Sequence, residues 1–345
     1  MTPIKSPTMP SVIDGSAVAE FRRSFNAAHF QFRHNLAGHP LFSIARLGEL
    51  AERMTAVGAG HHVVAFSVTR KTPARKFDQL ARHEGARETL SRIETGSSWL
   101  KLSFVQEYDP QYREIHDQIL EDAADCSGLP LRQALRWSSM TILLSSPGII
   151  TPYHIDHESN LLFQIAGEKD LWLFDPRDVR ALREDEIENF YVGNVNAADF
   201  RLAAQPLGCL YRLAPGVAVH NPPLGPHWVR NGNGVSVSVS LNFSLRSSEQ
   251  RARVYQMNYY LRRLGWHPSP PSGSRLRDWI KSSAMRIGAV AQPRNLEQLL
   301  QPGPRRLWRR LSPGRATLRP GGDGLGRGLG EQTHNRGPDS AERAK

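Results

Sequence analysis

The segment GVSVSVSLNF, residues 234–243, restricts the fold more than any other part of the chain. Valine and leucine alternate strictly with serine and asparagine along it, so the two sets lie on opposite faces of an extended strand. One face then belongs to a core. A long row of small polar side chains on the other face suits solvent, or the lumen of an open β-barrel that holds a polar ligand.

The chain has 345 residues, of which 39% are hydrophobic, which is enough for one large domain or two small ones with a genuine core. No apolar run approaches the roughly 20 residues that span a bilayer, and the N-terminus has no run of signal-peptide length. Cys126 and Cys209 are the only cysteines, too few for a disulfide framework or a thiolate zinc site. We therefore expect a cytoplasmic protein with no membrane partner.

The net charge of +11 is concentrated near the C-terminus. Residues 304–345 contain ten Lys or Arg and four Asp or Glu, a net charge of +6, and they are rich in Gly and Pro. Such a segment does not bury enough surface to fold, so we expect a disordered basic tail. A solvated tail without a specific role and a weak contact with nucleic acid are both compatible with this composition.

Changes in composition along the chain predict four regions. They are a loose leader (1–15), a domain with a helical N-terminal part (16–245), C-terminal helices (246–300) and the basic tail (304–345). Within the second region, the pattern from Leu135 to Phe243 is one of short strands and turns. The third region predicts two helices separated by the helix-ending segment HPSPPSG.

Two imidazoles and two carboxylates lie close together in TPYHIDHESN, residues 151–160. His154 and Asp156 are two positions apart, so on a strand they point to the same side and can reach one ion. Two histidines and one carboxylate on one face of an octahedral ion form the donor set of ferrous oxygenases. A lone His-x-Asp more often makes a surface hydrogen bond, so the metal interpretation needs a third ligand.

The segment NPPLGPHWV offers that ligand, because its proline-rich turn delivers His227 shortly before the alternating strand. Two other histidines compete for the metal. His157 follows His154 by three positions, which on a strand places it on the opposite face, so we interpret it as a substrate-side or surface residue. His220 precedes the turn, and we interpret it as structural or pocket-lining.

These motifs resemble the Jumonji-C, or cupin-like, Fe(II)- and 2-oxoglutarate-dependent oxygenases, with the closest pattern in the asparaginyl hydroxylases that inhibit hypoxia-inducible factor. The match covers about residues 135–245 and does not include the leader or the basic tail. The resemblance implies a mainly β fold, a double-stranded β-helix or jelly roll with flanking N- and C-terminal helices. It also implies that His154, Asp156 and His227 are the catalytic metal ligands.

The spacing of other family residues also matches this chain. The family has a Thr three positions before its first His, and an Asn and a Gln six and ten positions after it, which correspond here to Thr151, Asn160 and Gln164. Lys169 follows the first His by fifteen positions, as the co-substrate lysine of the family does. Asn242 follows the distal His by fifteen positions, again as in the family.

The resemblance assigns co-substrate roles to four of these residues. Lys169 would pair with the C5 carboxylate of 2-oxoglutarate, and Thr151 would donate a hydrogen bond to the same group. Asn242 would donate to the C1 carboxylate or a nearby water, and Asn160 would lie in the same pocket. The cofactors implied are Fe(II) and 2-oxoglutarate.

The implied reaction converts 2-oxoglutarate into succinate and CO₂ while a substrate, expected to be a protein or peptide side chain, is hydroxylated. Two alternatives remain open. One is a small-molecule cupin enzyme that uses the metal without 2-oxoglutarate, for which Lys169 is dispensable. The other is a non-enzymatic, nucleic-acid-associated regulator whose basic tail contacts phosphates.

The segment VYQMNYYLRRLGW has more aromatic and aliphatic surface than an exposed helix needs. In the resembling family, helices after the barrel pair two subunits. The resemblance therefore implies a homodimer formed through the two C-terminal helices.

Overall fold

The computed structural model describes residues 9–67, 72–76, 81–83, 85–287 and 296–300. The basic tail expected over 304–345 and the first eight residues of the expected leader lie outside these ranges. The strands of the described part are β1 (Phe30–Arg33), β2 (Val63–Ser67), β3 (Ala81–His83), β4 (Ser98–Leu102), β5 (Leu135–Ser145), β6 (Ile150–His154), β7 (Ser159–Ala166), β8 (Lys169–Leu173), β9 (Cys209–Leu213), β10 (Val217–Asn221), β11 (His227–Asn231) and β12 (Ser236–Leu245).

Helices flank the strands on both sides in the sequence. The α-helices of the described part are α1 (Val18–Ser24), α2 (Ile44–Ala56), α3 (Ala86–Ser91), α4 (Pro110–Ser127), α5 (Leu131–Ala134), α6 (Glu184–Tyr191), α7 (Arg246–Arg263), α8 (Arg275–Arg286) and α9 (Leu296–Leu300). None of these helices has the length and the apolar character that a bilayer crossing requires.

The strands form two antiparallel sheets. The larger has the order β1-β10-β7-β12-β5-β4-β2-β3, and the smaller has the order β6-β11-β8-β9. From β5 to β12 the chain passes repeatedly between the two sheets, as a double-stranded β-helix requires. The expected jelly roll with flanking helices is confirmed.

The alternating segment found in the sequence forms β12, which pairs with β7 on one side and β5 on the other. Val237, Val239 and Leu241 lie in the main hydrophobic core, together with apolar residues of α1, α2 and α4. The polar side chains of β12, among them Ser240 and Asn242, occupy the opposite face, toward the smaller sheet. A separate apolar cluster fills part of the space between the sheets, formed by Leu162, Leu171, Leu173, Leu213, Val217, Val219 and Val229.

Helix α4 shows how local sequence sets an element behind the larger sheet. Asp109 caps its N-terminus by accepting a hydrogen bond from the Gln111 amide, and Gly128 ends it in the left-handed conformation at φ 71°. The apolar stripe of the helix, which includes Ile115 and Ile119, is buried in the main core. The helix therefore braces the face of the sheet that lies away from the lumen.

The expectation of a loose leader over residues 1–15 is wrong for its described part. The Val12 and Ile13 side chains are buried, and the Asp122 carboxylate of α4 accepts hydrogen bonds from both of their amides at 2.6 and 2.9 Å. Two buried side chains and two charge-assisted hydrogen bonds hold this segment against the helix.

The C-terminal helices are arranged differently from what the homodimer argument assumed. Ala252, Val254 and Tyr255 of α7 are buried within the subunit, so most of the apolar surface of that helix is already covered. The exposed apolar surface lies instead on α8 and in the segments next to it. It consists of Leu264, Trp266, Leu276, Trp279, Ile280 and Ile287.

Candidate metal centre

His154 and His227 lie side by side on neighbouring strands of the smaller sheet. His154 is the last residue of β6 and His227 is the first residue of β11, and the antiparallel register pairs them. Their ring centroids are 4.0 Å apart. The imidazoles are thus brought together by the ladder, although they are 73 positions apart in the sequence.

Asp156 completes the group from the loop that follows β6. Its Oδ2 lies 3.8 Å from Nε2 of His154 and 3.7 Å from Nε2 of His227. The intervening Ile155 is buried, and the Asp156 carbonyl accepts a hydrogen bond from the Leu224 amide at 2.8 Å. The carboxylate is therefore positioned by a loop tied to the His227 turn, and not by strand alternation as the sequence argument assumed.

Both histidines make the same local hydrogen bond. Nδ1 of His154 donates to the Pro152 carbonyl at 2.7 Å, and Nδ1 of His227 donates to the Gly225 carbonyl at 3.0 Å. Because a carbonyl oxygen only accepts, Nδ1 carries the proton and Nε2 keeps its lone pair. The Nε2 atoms are the ones nearest Asp156, as a shared ion requires.

Burial controls the protonation of the site. Burial of His227, followed by repulsion from the nearby His154, lowers its pKa to about 4, so the ring is neutral at pH 7 and able to bind a metal. Glu158 lies close to the same carboxylate. Its burial, followed by repulsion from Asp156, raises its pKa to about 8.

The donor set fits an oxygenase-type metal ion. One ligand atom from each of His154, Asp156 and His227 lies within 4.8 Å of the other two, and within the described ranges this is the one group of three or more potential ligands so arranged. Two neutral imidazoles and one carboxylate can occupy a single face of an octahedral ion and leave the other positions for co-substrate.

The other histidine of this motif has a structural role. The expectation that His157 is a substrate-side or surface residue is wrong, because it is fully buried. Its Nδ1 contacts the Tyr191 hydroxyl and its Nε2 the Ser244 hydroxyl, each at 3.0 Å. The chain has left the strand by this position, so strand alternation no longer sets the direction of its side chain.

His220 lies on the face of β10 that points away from the lumen. Its Nε2 accepts a hydrogen bond from the Asn26 amide at 2.9 Å, its Nδ1 donates to the Asn160 carbonyl at 3.0 Å, and its ring stacks on Phe25. Both ring nitrogens have partners within the protein, which matches the interpretation of this residue as structural.

A polar wall lines the larger sheet opposite the metal group. Asn160 of β7 and Asn242 of β12 are register partners, and Nδ2 of Asn160 donates to Oδ1 of Asn242 at 2.7 Å and to the Ser240 hydroxyl at 2.6 Å. Deeper in the barrel, Gln164 bonds the hydroxyls of Ser238 and Ser236 at 2.7 and 3.0 Å. The sequence comparison singled out both asparagines and the glutamine but missed Ser240.

A register shift brings Thr151 onto the same face as the metal ligands. His227 pairs with His154, but Val229 pairs with Thr151, so β6 has one extra residue between the two pairs. Such a bulge turns side chains three positions apart to the same side. Val229 belongs to the cluster between the sheets, which places Thr151 at the lumen.

Lys169 is the first residue of β8, where it pairs with Leu213 and Asn231. It is 5% exposed, and its ammonium makes no hydrogen bond or ion pair with any residue in the described part of the chain. Burial lowers its pKa to about 7. A buried ammonium without a partner is costly and is expected to receive an anion.

Comparison with known proteins places this architecture in a family. Residues 31–249 match the model of a family described as a cupin-like domain. The chain belongs to the cupin-like family. The matched range runs from β1 to the start of α7, and it includes the three metal ligands and the lumen residues of both sheets. A search of curated proteins found no match for the cupin-like chain.

Several solved structures are similar to this cupin-like protein at low identity. An X-ray structure of E. coli ycfD has 15% identity and a TM-score of 0.47, over 85% of this chain and 71% of that one. The Escherichia coli ribosomal oxygenase YcfD with cobalt and 2-oxoglutarate has 14% identity and a TM-score of 0.44, over 77% and 64%. The DMSP lyase DddQ from Ruegeria pomeroyi has 16% identity and a TM-score of 0.21, over 32% and 39%.

Proposed function

We propose that this cupin-like protein is an Fe(II)- and 2-oxoglutarate-dependent oxygenase that hydroxylates a protein or peptide side chain. The observation that carries the proposal is that one lumen contains both a His-Asp-His group and a buried lysine, Lys169, whose ammonium has no partner among the described residues. On the neighbouring strands β11 and β8, His227 pairs with Leu173 and Asn231 pairs with Lys169. The metal ligand His227 and the lysine are therefore four residues apart along the ladder. That is about 13 Å at roughly 3.3 Å per residue, which a lysine side chain and a five-carbon diacid bridge together.

The metal ligands in this proposal are His154, Asp156 and His227. The bound Fe(II), with 2-oxoglutarate and O₂, supplies the oxidant that inserts oxygen into a substrate C–H bond. The protein holds both imidazoles in the Nδ1-protonated form and keeps Asp156 between them through the Leu224 amide. This preorganisation would direct both Nε2 lone pairs and the carboxylate at one ion.

The co-substrate residues in this proposal are Lys169, Thr151, Asn160 and Asn242. Lys169 offers a cation to the distal carboxylate, and a charge-assisted bond in a site shielded from water is stronger than an exposed one. Thr151 adds a hydroxyl donor on the same wall as the metal ligands. Asn160 and Asn242 already bond each other, which holds in place the amides that would face the proximal carboxylate.

An anaerobic titration tests the metal and co-substrate assignments. We expect one equivalent of Fe(II) to bind, 2-oxoglutarate to bind the iron-loaded protein, and succinate to form on admission of air. The matched control is Asp170→Ala, which removes a carboxylate on β8 that pairs with Arg230 outside the metal group. Metal binding without any dependence on 2-oxoglutarate would instead support a small-molecule cupin enzyme.

The substrate class is tested separately with peptides. Incubation of the loaded enzyme with peptide libraries, followed by mass spectrometry, should show the gain of one oxygen atom on a side chain. Conversion of small molecules only would contradict the protein or peptide assignment. Salt-sensitive nucleic-acid binding that disappears on truncation at Pro304, without turnover, would support the non-enzymatic alternative.

A further inference from the structure

Asp156 is held less directly than the other two metal ligands. His154 and His227 lie at the ends of paired strands, and the Nδ1 atom of each donates to a backbone carbonyl. Asp156 lies in the loop after β6, and its side chain is 38% exposed. Its carboxylate accepts no hydrogen bond from the described residues, since 3.7 and 3.8 Å to the two Nε2 atoms are too long for one. The direction of this carboxylate therefore depends on the backbone that carries it.

The loop is anchored at three successive residues. The Ile155 side chain is 2% exposed and belongs to the apolar cluster around α6. The carbonyl of Asp156 accepts a hydrogen bond from the Leu224 amide at 2.8 Å. The His157 side chain is 0% exposed. The backbone of Asp156 is thus held at its own carbonyl and by a buried side chain on either side.

The His157 ring joins the loop to two distant elements. Its Nδ1 lies 3.0 Å from the Tyr191 hydroxyl of α6, and its Nε2 lies 3.0 Å from the Ser244 hydroxyl of β12. The two rings of His157 and Tyr191 also meet edge to face, with centroids 5.5 Å apart. Because a hydroxyl can either donate or accept, both ring nitrogens are satisfied in either tautomer. The ring therefore acts as a clamp between a helix and a strand.

Both partners of the clamp are fixed by their own surroundings. Tyr191 is 2% exposed, its ring stacks on Tyr255 of α7, and its carbonyl accepts a hydrogen bond from Nε2 of Gln256 at 3.0 Å. Ser244 is 2% exposed and pairs with Trp137 of β5. Close packing of this kind leaves the two hydroxyls little freedom to move.

We propose that His157 is a positioning residue that aims the Asp156 carboxylate at the two Nε2 atoms by clamping its loop between Tyr191 and Ser244. This inference rests on the proposed metal centre. Asp156 supplies the one carboxylate of the group. A loop without its clamp would let that carboxylate turn toward solvent, so metal affinity should fall although no ligand has been removed.

The test compares His157→Leu with His157→Gln. Leucine fills a similar volume but offers no polar atom, whereas the glutamine amide keeps one donor and one acceptor for the two hydroxyls. We expect His157→Leu to weaken Co(II) binding roughly ten- to a hundredfold and His157→Gln to stay near the wild-type affinity. Co(II) absorbance measures binding, and denaturant unfolding of each variant shows whether the fold is retained.

The matched control is His220, which is also 0% exposed and has both ring nitrogens bonded, to the Asn26 amide and the Asn160 carbonyl. It lies on the face of β10 away from the lumen and is not next to a metal ligand in the sequence. His220→Leu should lower the stability but leave Co(II) affinity unchanged. If His157 only supports the fold, His157→Leu should behave in the same way.

Amide hydrogen exchange on the metal-free protein gives a second readout. The Leu224 amide donates to the Asp156 carbonyl, so its exchange rate reports opening of the loop. The amide of Val239, a fully buried residue of β12, reports unfolding of the whole domain. We expect His157→Leu to accelerate exchange at Leu224 roughly tenfold more than at Val239, and His220→Leu to show no such difference.

The outcomes separate the inference from the proposed function. Unchanged Co(II) affinity in His157→Leu, equal loss in His157→Leu and His220→Leu, or exchange at Leu224 that follows Val239 in His157→Leu would each overturn the inference. A wild type that binds no Co(II), with the expected exchange in His157→Leu, would sink the proposed metal centre and leave the clamp on the loop intact. If His157→Leu does not fold, Tyr191→Phe takes its place with both readouts, because it removes one contact of the ring and keeps the ring itself.

Discussion

His154 and His227 are register partners in the antiparallel pair β6–β11, with their ring centroids 4.0 Å apart. The register of this pair is the scaffold of the metal group, because a shift of one residue would turn one of the two imidazoles to the other face of the sheet. The Leu224 amide then ties Asp156 to the turn that precedes His227, so all three groups depend on one short stretch of ladder and one turn.

Asp156→Ala should abolish iron-dependent succinate formation. The change removes the one carboxylate of the donor group and leaves two neutral imidazoles to hold a dication. Anaerobic Fe(II) titration and succinate detection in air measure the effect. His227→Ala should have the same phenotype, and a variant at either position that keeps wild-type turnover would contradict the assignment.

His220→Ala should leave Fe(II) affinity close to the wild-type value while lowering the free energy of unfolding by about 1–3 kcal/mol. The cost arises because the Asn26 amide and the Asn160 carbonyl lose their buried partner. Denaturant unfolding measures the stability, and Fe(II) titration measures the affinity. Loss of iron in His220→Ala with iron retained in His227→Ala would show that the distal ligand is misassigned.

Lys169→Ala should bind iron normally but hold 2-oxoglutarate more weakly. A charge-assisted pair to a carboxylate contributes about 1.5–3 kcal/mol, which corresponds to roughly ten- to a hundredfold in affinity. Calorimetry on the iron-loaded protein under nitrogen gives the dissociation constant. Unchanged affinity would remove the main support for a 2-oxoglutarate enzyme.

The affinity for 2-oxoglutarate should fall as the pH rises above 7. Burial lowers the pKa of Lys169 to about 7 in the free protein, so the ammonium that pairs with the carboxylate is increasingly deprotonated above that pH. Below pH 7 the lysine is already charged and the affinity should level off. Above it, binding takes up one proton, and the dissociation constant should rise about tenfold per pH unit. The slope should be absent in Lys169→Ala, and a wild-type affinity that is flat from pH 7 to 9 would count against this account.

The homodimer remains a prediction, but we now expect its interface to lie on α8 and not on α7, whose apolar side chains are mostly buried within the subunit. Trp279 and Ile280 are 61% and 54% exposed on one face of that helix, although their size favours burial. We expect a dimer at micromolar concentration by light scattering, and a monomer for Ile280→Glu. Val179→Glu, at a position 62% exposed elsewhere on the surface, is the control. A monomeric wild type would contradict the prediction.

Much of the site could be predicted from the sequence because its signals are local. The alternation in GVSVSVSLNF identifies a strand with a polar face, and that strand became β12 with Asn242 at the lumen. The spacing around His154 led to Asn160 and Lys169, and the structure places the two residues on the polar wall and in the buried lumen.

The remaining features depended on contacts between distant segments, which no local pattern encodes. His157 looked accessible because alternation was extended past the end of β6, but Tyr191 of α6 and Ser244 of β12 enclose it. The leader was expected to be loose because its composition is ordinary. In the structure, however, the Asp122 carboxylate of α4 accepts hydrogen bonds from the amides of Val12 and Ile13. Sequence alone determined which residue types could form a ferrous site and a lumen, since both the chemistry of the side chains and the alternation of polar and apolar residues can be recognised within a short segment. Only the tertiary structure decided that the Leu224 amide holds Asp156 and that the buried side-chain amide of Asn221, at the end of β10, lies beside His227. The two residues of each pair are 68 and six positions apart, and their contacts exist only once the sheets have closed.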